Sequence, residues 1–225
     1  PLVKLVVRID LTSAKDHRLT VGTNGLTCFP RHGGVSIALY SRVGTTGEMG
    51  FCGGSLLSQE WLITAAHCCF HDGEQVDHVQ AILGAHSLYD RYEHGRRVVN
   101  VADVVVHPDF DLNTFANDIA LLKLANVVQI TDQVSPIQLP YRNISTHNLA
   151  GFAATVSGWG IAVEGAPFVS PTLRQKQLTI VQDPFCNRSL FNQLPEHIIC
   201  GTHGTGGTCK VTTLPHKTLP TSRGL

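Results

Sequence analysis

Residues 51–70 read FCGGSLLSQEWLITAAHCCF, and they carry the strongest signal in the chain. His67 lies directly before Cys68, and Cys52 lies sixteen positions before Cys68. Imidazole is a natural general base near neutral pH, but it must be held in one orientation to take a proton from a weak nucleophile. A disulfide between Cys52 and Cys68 would hold the loop that presents His67. The pattern therefore predicts a general base, the alternative being a structural histidine beside a bridge.

A second segment, residues 117–124, reads NDIALLKL, and its only carboxylate opens an otherwise apolar strand. Burying an unpaired carboxylate is costly, so Asp118 is expected to be hydrogen-bonded to a specific partner. A capping or turn aspartate is the alternative. A third segment, residues 156–160, reads VSGWG and is a weak signal by itself.

Taken in order, the three segments resemble the chymotrypsin/trypsin-like serine endopeptidase family, whose histidine motif is CGGSL followed by W-x-x-T-A-A-H-C. The resemblance runs from about residue 35 to residue 210. It implies a serine endopeptidase in which Asp118 accepts the Nδ1 proton of His67 and fixes its tautomer. The run TVSGWG and the Gly/Thr-rich approach to Cys209 resemble insect and crustacean digestive enzymes of the chymotrypsin and brachyurin type.

Short apolar runs rich in Val, Ile and Leu, separated by Gly, Asn, Asp and Pro, predict an all-β chain. The runs lie at residues 35–40, 79–83, 97–106, 119–124 and 153–156. The resemblance implies two six-stranded antiparallel β-barrels of the chymotrypsin-like fold, with the second barrel incomplete in this chain.

The expected division of the chain follows from the resemblance and from a Pro-containing segment at residues 131–140. Residues 1–18 are expected to be a propeptide remnant, and residues 19–210 a protease domain. Within that domain we expect barrel 1 over about 19–130 and an incomplete barrel 2 over about 141–210. Residues 211–225 form a tail that does not resemble the family.

The nucleophile segment is where the resemblance fails. After residues 204–210, GTGGTCK, the family continues with GDSGGP, whereas this chain continues with VTTLPH. Thr213 stands at the position of the serine, and its methyl group would crowd an attack. The glycines that let backbone amides approach an oxyanion are also missing. We therefore expect the chain as written to be inactive, the alternative function being a non-catalytic homologue that acts as a binding module.

The origin of residues 211–225 stays open at this point. A translated intron, a frameshift and a genuine C-terminal sequence would each end the resemblance at one position. The resemblance also places Gly207 at the position that sets primary specificity. A glycine there argues against a preference for Lys or Arg.

Seven cysteines without a CxxC pair favour an oxidising compartment over a zinc ribbon or a thioredoxin motif. Together with the glycosylation sequons at residues 143–145 and 187–189, they predict a secreted, extracellular protein. The resemblance further implies a bridge between Cys186 and Cys200. The pairing of Cys28, Cys69 and Cys209 is left open.

Composition argues against several partner classes. Seventeen basic residues balance seventeen acidic ones, so nothing in bulk attracts nucleic acid or an anionic membrane. The apolar run within residues 1–8 is too short to span a membrane. The histidines are scattered without short paired spacing, so we predict no metal site, and no cofactor is expected. The implied partner is a polypeptide substrate, and the oligomeric state is left open.

Overall fold

The predicted all-β class is confirmed. A computed structural model of the chain describes residues 36–44, 46–139, 149–160, 168–181 and 200–202, the last short segment mainly by its backbone. A 3-10 turn spans Ala66–Cys69. The strands are β1 Ser36–Arg42, β2 Met49–Leu56, β3 Trp61–Thr64, β4 Phe70–His71, β5 Glu74–Gln75, β6 His78–Leu83, β7 Arg97–Val106, β8 Ala120–Leu124, β9 Ala153–Gly158, β10 Arg174–Val181 and β11 Cys200–Thr202.

Six strands close into an antiparallel barrel in the order β1, β2, β3, β8, β7, β6. The pairing of β6 back onto β1 completes the closure, with Ala38 opposite Ile82 and Arg42 opposite His78. Closure leaves none of these strands with an unpaired edge that could pair with another chain.

The barrel interior is filled by aliphatic side chains from alternate strand positions, as expected for strands with one buried face. Leu56 and Leu62 are both 0% exposed, and Leu122 is 1% exposed. Further members of this core include Ile37, Leu39, Val79, Ala81, Leu83, Ala120 and Leu124.

The other main sheet of the described residues has three strands, in the order β11, β10, β9. Trp159 follows β9 and is 3% exposed. Its indole Nε1–H donates to the carbonyl oxygen of His86 at 3.0 Å, and the hydroxyls of Ser36 and Ser157 share a hydrogen bond of 2.6 Å. The indole packs in a cluster with Ala38, Ile82, Ala85, Leu88 and Leu173. The VSGWG segment thus joins this sheet to the outside of the barrel.

All five strands predicted from apolar runs are present as β1, β6, β7, β8 and β9, within two residues at each end. Strand β10 was not predicted, because its first half, RQKQ, is polar and only its second half carries buried residues. The segment at residues 131–139 forms no strand, and Val134 in it is 1% exposed against the barrel core.

Several predictions lie outside the described residues. They are the division at residue 18, the Cys186–Cys200 bridge, and every statement about Gly207, Thr213 and residues 211–225. The expected domain boundaries remain predictions. Among the described residues, no helix has the length and apolar character needed to cross a membrane.

Gly84, which links β6 to the following loop, offers a test of the barrel's packing. It adopts φ +66°, and a Cβ there would lie 2.5 Å from the carbonyl oxygen of Gly95. Gly73 has φ +87° but open space around it, so it is a matched control for backbone strain alone. We expect Gly84→Ala to lower the free energy of unfolding by about 1–3 kcal/mol more than Gly73→Ala in urea titrations. Equal losses would contradict this packing.

Candidate active site

The pairing of β3 with β8 brings His67 and Asp118 together. Thr64, at the end of β3, lies opposite Ala120, at the start of β8. His67 follows Thr64 by three residues in the 3-10 turn, and Asp118 precedes Ala120 by two. Because antiparallel neighbours run in opposite directions, the continuation of one strand meets the approach to the other. The two predicted residues therefore meet at one end of the barrel.

The carboxylate of Asp118 accepts two hydrogen bonds from His67. The backbone N–H donates to Oδ1 at 2.8 Å, and ring Nδ1 lies 2.5 Å from Oδ2. The side chain of His67 is 2% exposed and that of Asp118 is 11% exposed, so the contact is largely shielded from water. A carboxylate facing Nδ1 favours the tautomer with the proton on that nitrogen, which makes Nε2 the basic nitrogen of the ring.

A disulfide between Cys52 and Cys68 fixes the turn from its other side. The Cα atoms of these residues are 6.0 Å apart, within the usual range for a disulfide. The hydroxyl of Thr64 donates to the carbonyl oxygen of Gly53 at 2.8 Å, next to the bridge. The 3-10 turn of His67 is thus tied to β2 by a covalent bond and to β3 by chain continuity.

A loop that the sequence analysis did not single out covers His67. Phe115 is 8% exposed, and its ring lies edge-on to the imidazole with centroids 5.8 Å apart. Its φ is +58°, which is unusual for an aromatic residue. The backbone N–H of Asn113 and the hydroxyl of Thr114 donate to Asp111 and hold the pKa of that carboxyl below its ordinary value. An Asp-x-Asn turn signal could have revealed this loop, but nothing local links it to His67.

Cys69 is a buried free thiol beside the pair, with 1% of its surface exposed. Burial, reinforced by the negative charge of Asp118, raises the pKa of this thiol to about 12. A thiol so strongly protonated at neutral pH is a poor nucleophile and a poor metal ligand. The sulfurs of Cys52 and Cys68 are joined to each other, so they do not form a metal site with His67.

Comparison with known proteins identifies the family. A family model described as Trypsin matches residues 23–210, well over half of the chain. The chain belongs to the trypsin family. Trypsin of Sus scrofa is 31% identical over 157 residues, covering 70% of this chain and 63% of that protein. Brachyurin of Leptuca pugilator is 32% identical over 163 residues, covering 72% of this chain and 68% of that protein.

A solved structure described as "Structure of GrC" is similar in fold to this trypsin-family chain. The TM-score is 0.69 at 28% sequence identity, covering 80% of this chain and 75% of that one. Duodenase-1 of Bos taurus is 35% identical, and the aligned part is 58% of its length. The chain therefore spans between about half and two thirds of the length of several curated relatives that it matches.

The short Nδ1–carboxylate contact of this trypsin-family chain is directly testable by proton NMR. A proton held in a short, charge-assisted hydrogen bond is strongly deshielded. We expect a far-downfield Nδ1 proton resonance from His67 that disappears in both His67→Ala and Asp118→Ala. His78→Ala removes an exposed histidine on β6 and should leave the resonance in place. A resonance that survives in Asp118→Ala would refute the contact.

Cys69 should be unreactive in the folded protein. Because the thiolate is the nucleophile, alkylation by iodoacetamide at pH 8 should be slow at Cys69 in buffer and fast in concentrated urea. Mass spectrometry of peptides resolves this site from the other cysteines. Equal labelling rates in the two conditions would contradict the burial.

The raised pKa of the Cys69 thiol predicts how the stability of the chain changes with pH. Its pKa lies near 9.0 when unperturbed and at about 12 in the folded chain, so the folded state holds the proton more tightly. The contribution of the protonated Cys69 thiol to the free energy of unfolding is fully present below pH 9.0 and is lost as pH rises toward 12. The free energy of unfolding should therefore fall with pH in this window by up to about 1.4 kcal/mol per unit more than in Cys69→Ala. Parallel curves for the two proteins would argue against the shift.

Proposed function

We propose that this trypsin-family chain carries the acid–base half of a serine endopeptidase that cuts peptide bonds by acyl transfer. His67 takes the proton of a nucleophilic hydroxyl through Nε2 and later gives it to the leaving amine. Asp118 holds the ring and stabilises the imidazolium that forms. The observation that carries the proposal is the contact of 2.5 Å between Nδ1 of His67 and the carboxylate of Asp118.

The burial of this pair supports its role in chemistry. In a site shielded from water, a fixed carboxylate stabilises a developing positive charge more strongly than in solvent. The second hydrogen bond, from the backbone N–H of His67, keeps the carboxylate in place before the proton moves. The base is therefore preorganised, and its orientation costs nothing when the reaction begins.

We propose further that residues 1–225 alone do not form an acyl-enzyme. The sequence contains no GDSGG, and Thr213 stands in the register of the serine. The family match ends at residue 210, directly before that register. The methyl group of Thr213 would crowd an attack by its hydroxyl, and without the neighbouring glycines the backbone amides would not approach an oxyanion as they do in the family.

The expected substrate is a polypeptide, and the expected location is extracellular. Family membership and the disulfide between Cys52 and Cys68 support both expectations. Gly207 in the register of the specificity position argues against a preference for Lys or Arg, and its placement rests on sequence register alone.

A serine-directed phosphonylating reagent tests this function. We expect no labelling of residues 1–225, and stoichiometric labelling of a longer product in which a GDSGG-containing segment follows Lys210. Labelling of the longer product should fall by several orders of magnitude in His67→Ala, and by a smaller factor in Asp118→Asn. Stoichiometric labelling of residues 1–225 would overturn the predicted inactivity. An unaffected His67→Ala variant would overturn the role of the base.

We infer that residues 211–225 are translated intron. Lysine can be encoded by AAG and every valine codon begins with GT, so the junction of Lys210 and Val211 can be written as the splice donor AAG|GT. Transcript and genomic sequencing across this junction provide the test. An acceptor site followed by an in-frame GDSGG exon would support the inference. A GDSGG coding stretch directly downstream in another frame would show a frameshift instead. If both features are absent, the result would favour a non-catalytic homologue.

A further inference from the structure

A cluster of three potential ligands lies on the barrel surface outside the candidate active site. Nε2 of His71 lies 2.8 Å from a carboxylate oxygen of Glu48 and 4.0 Å from one of Asp72. All three ligand atoms lie within 4.8 Å of one another. The cluster combines one imidazole nitrogen with two carboxylates contributed by two separate segments of the chain.

The backbone presents these groups at one place. His71 ends β4, and Asp72 and Gly73 form the two-residue turn to β5, with φ values of +47° and +87°. An Asp-Gly pair with both φ values positive is characteristic of the tight type I′ hairpin, which holds Asp72 beside His71. Glu48 lies at the entry to β2, where its carbonyl oxygen accepts from the N–H of Val43 at 3.1 Å. The positions of all three residues are therefore set by local hydrogen-bonded structure.

We propose that Glu48, His71 and Asp72 bind a divalent transition-metal ion of the Zn²⁺ class. Zinc takes imidazole nitrogen and carboxylate oxygen at about 2.0–2.2 Å in a tetrahedral arrangement, which separates ligand atoms by about 3.3 Å. The observed separations of 2.8 and 4.0 Å bracket that spacing. Side-chain exposures of 34%, 51% and 88% for His71, Glu48 and Asp72 let the groups adjust by small rotations. Water would complete the coordination.

The segment of sequence that carries the three ligands is acidic. Between residues 36 and 79 the chain has the carboxylates of Glu48, Glu60, Asp72, Glu74 and Asp77, against a single Arg42 and no lysine. Glu74 lies directly opposite His71 in the β4–β5 pairing, so the hairpin carries a second carboxylate besides Asp72. The net negative charge of this segment would attract a cation, although salt would screen part of the effect.

The type of ligand selects the type of ion. Calcium takes six to eight oxygen ligands and magnesium retains most of its waters, so an imidazole-containing site with two carboxylates suits neither. Imidazole nitrogen suits zinc and its neighbours in the transition series. The histidines have no short paired spacing, so the sequence by itself predicts no metal site. Here a single histidine is joined by a carboxylate from a distant segment, which spacing does not reveal.

Calorimetric titration of ZnCl₂ into the full 225-residue chain, freed of metal with a chelator, tests the site. We expect one equivalent to bind at this cluster, and the dissociation constant to rise by at least about 10-fold in His71→Ala, Glu48→Gln and Asp72→Asn. His78→Ala removes an exposed histidine on β6 outside the cluster and should leave the titration unchanged. CaCl₂ should give no binding to this site. The readout is metal binding, so it does not depend on the proposed proteolytic function.

Three results would each overturn the proposed metal site. No zinc binding to the unaltered chain would show that the contact between His71 and Glu48 is a surface ion pair only. Equal binding by His71→Ala would place the ion on other histidines. Circular dichroism checks that each variant is folded, and His71→Asn serves as a second variant if His71→Ala is not. Loss of binding in His78→Ala but not in His71→Asn would also refute the site.

Discussion

The register between β3 and β8 is the constraint on which the candidate active site depends. It sets Thr64 opposite Ala120, and from that pairing the positions of His67 and Asp118 follow. A shift of one residue would exchange the two faces of a strand, moving Leu62 and Leu122 out of the core. Both side chains are at most 1% exposed, so the cost of losing their burial holds the register in place. The packing of the barrel thus also determines the geometry of the pair.

A carboxylate largely shielded from water needs compensation, and among the described residues Asp118 receives its hydrogen bonds from His67. Two N–H groups of His67 face its two oxygens, at 2.8 and 2.5 Å. The disulfide of Cys68 and the edge contact of Phe115 restrict the histidine from two further directions. Such an arrangement satisfies the carboxylate and orients the imidazole with the same contacts. Stability and chemical function therefore place the same demand on this part of the chain.

Much of the barrel could be predicted from sequence because its strands are short apolar runs with clear punctuation. Strands β7 and β8 fit this description, and both were predicted within one residue at each end. Strand β10 was missed, since its polar first half lacks the alternation that marks a half-buried strand. His67 and Asp118 were identified through motifs, whereas Phe115 was not. Its contact with His67 depends on the path of a loop, which local sequence does not encode.

The candidate metal cluster was missed for a related reason. Its ligands come from the approach to β2 and from the β4–β5 hairpin, which lie far apart in the sequence but close together in the fold. Motif spacing detects ligands only when neighbouring positions on one element share a site.

The described contacts of the His–Asp pair lie in the first half of the chain. Every contact described for it, including the disulfide and the aromatic edge of Phe115, is made between residues 51 and 120. The segment in which the serine motif is replaced begins after residue 210, in the sequence beyond the β9–β11 sheet. In the sequence, the segment that departs from the serine motif is therefore separate from the residues that make these contacts. A well-formed pair is therefore consistent with the proposed inactivity, because acyl transfer needs a nucleophile as well as a base.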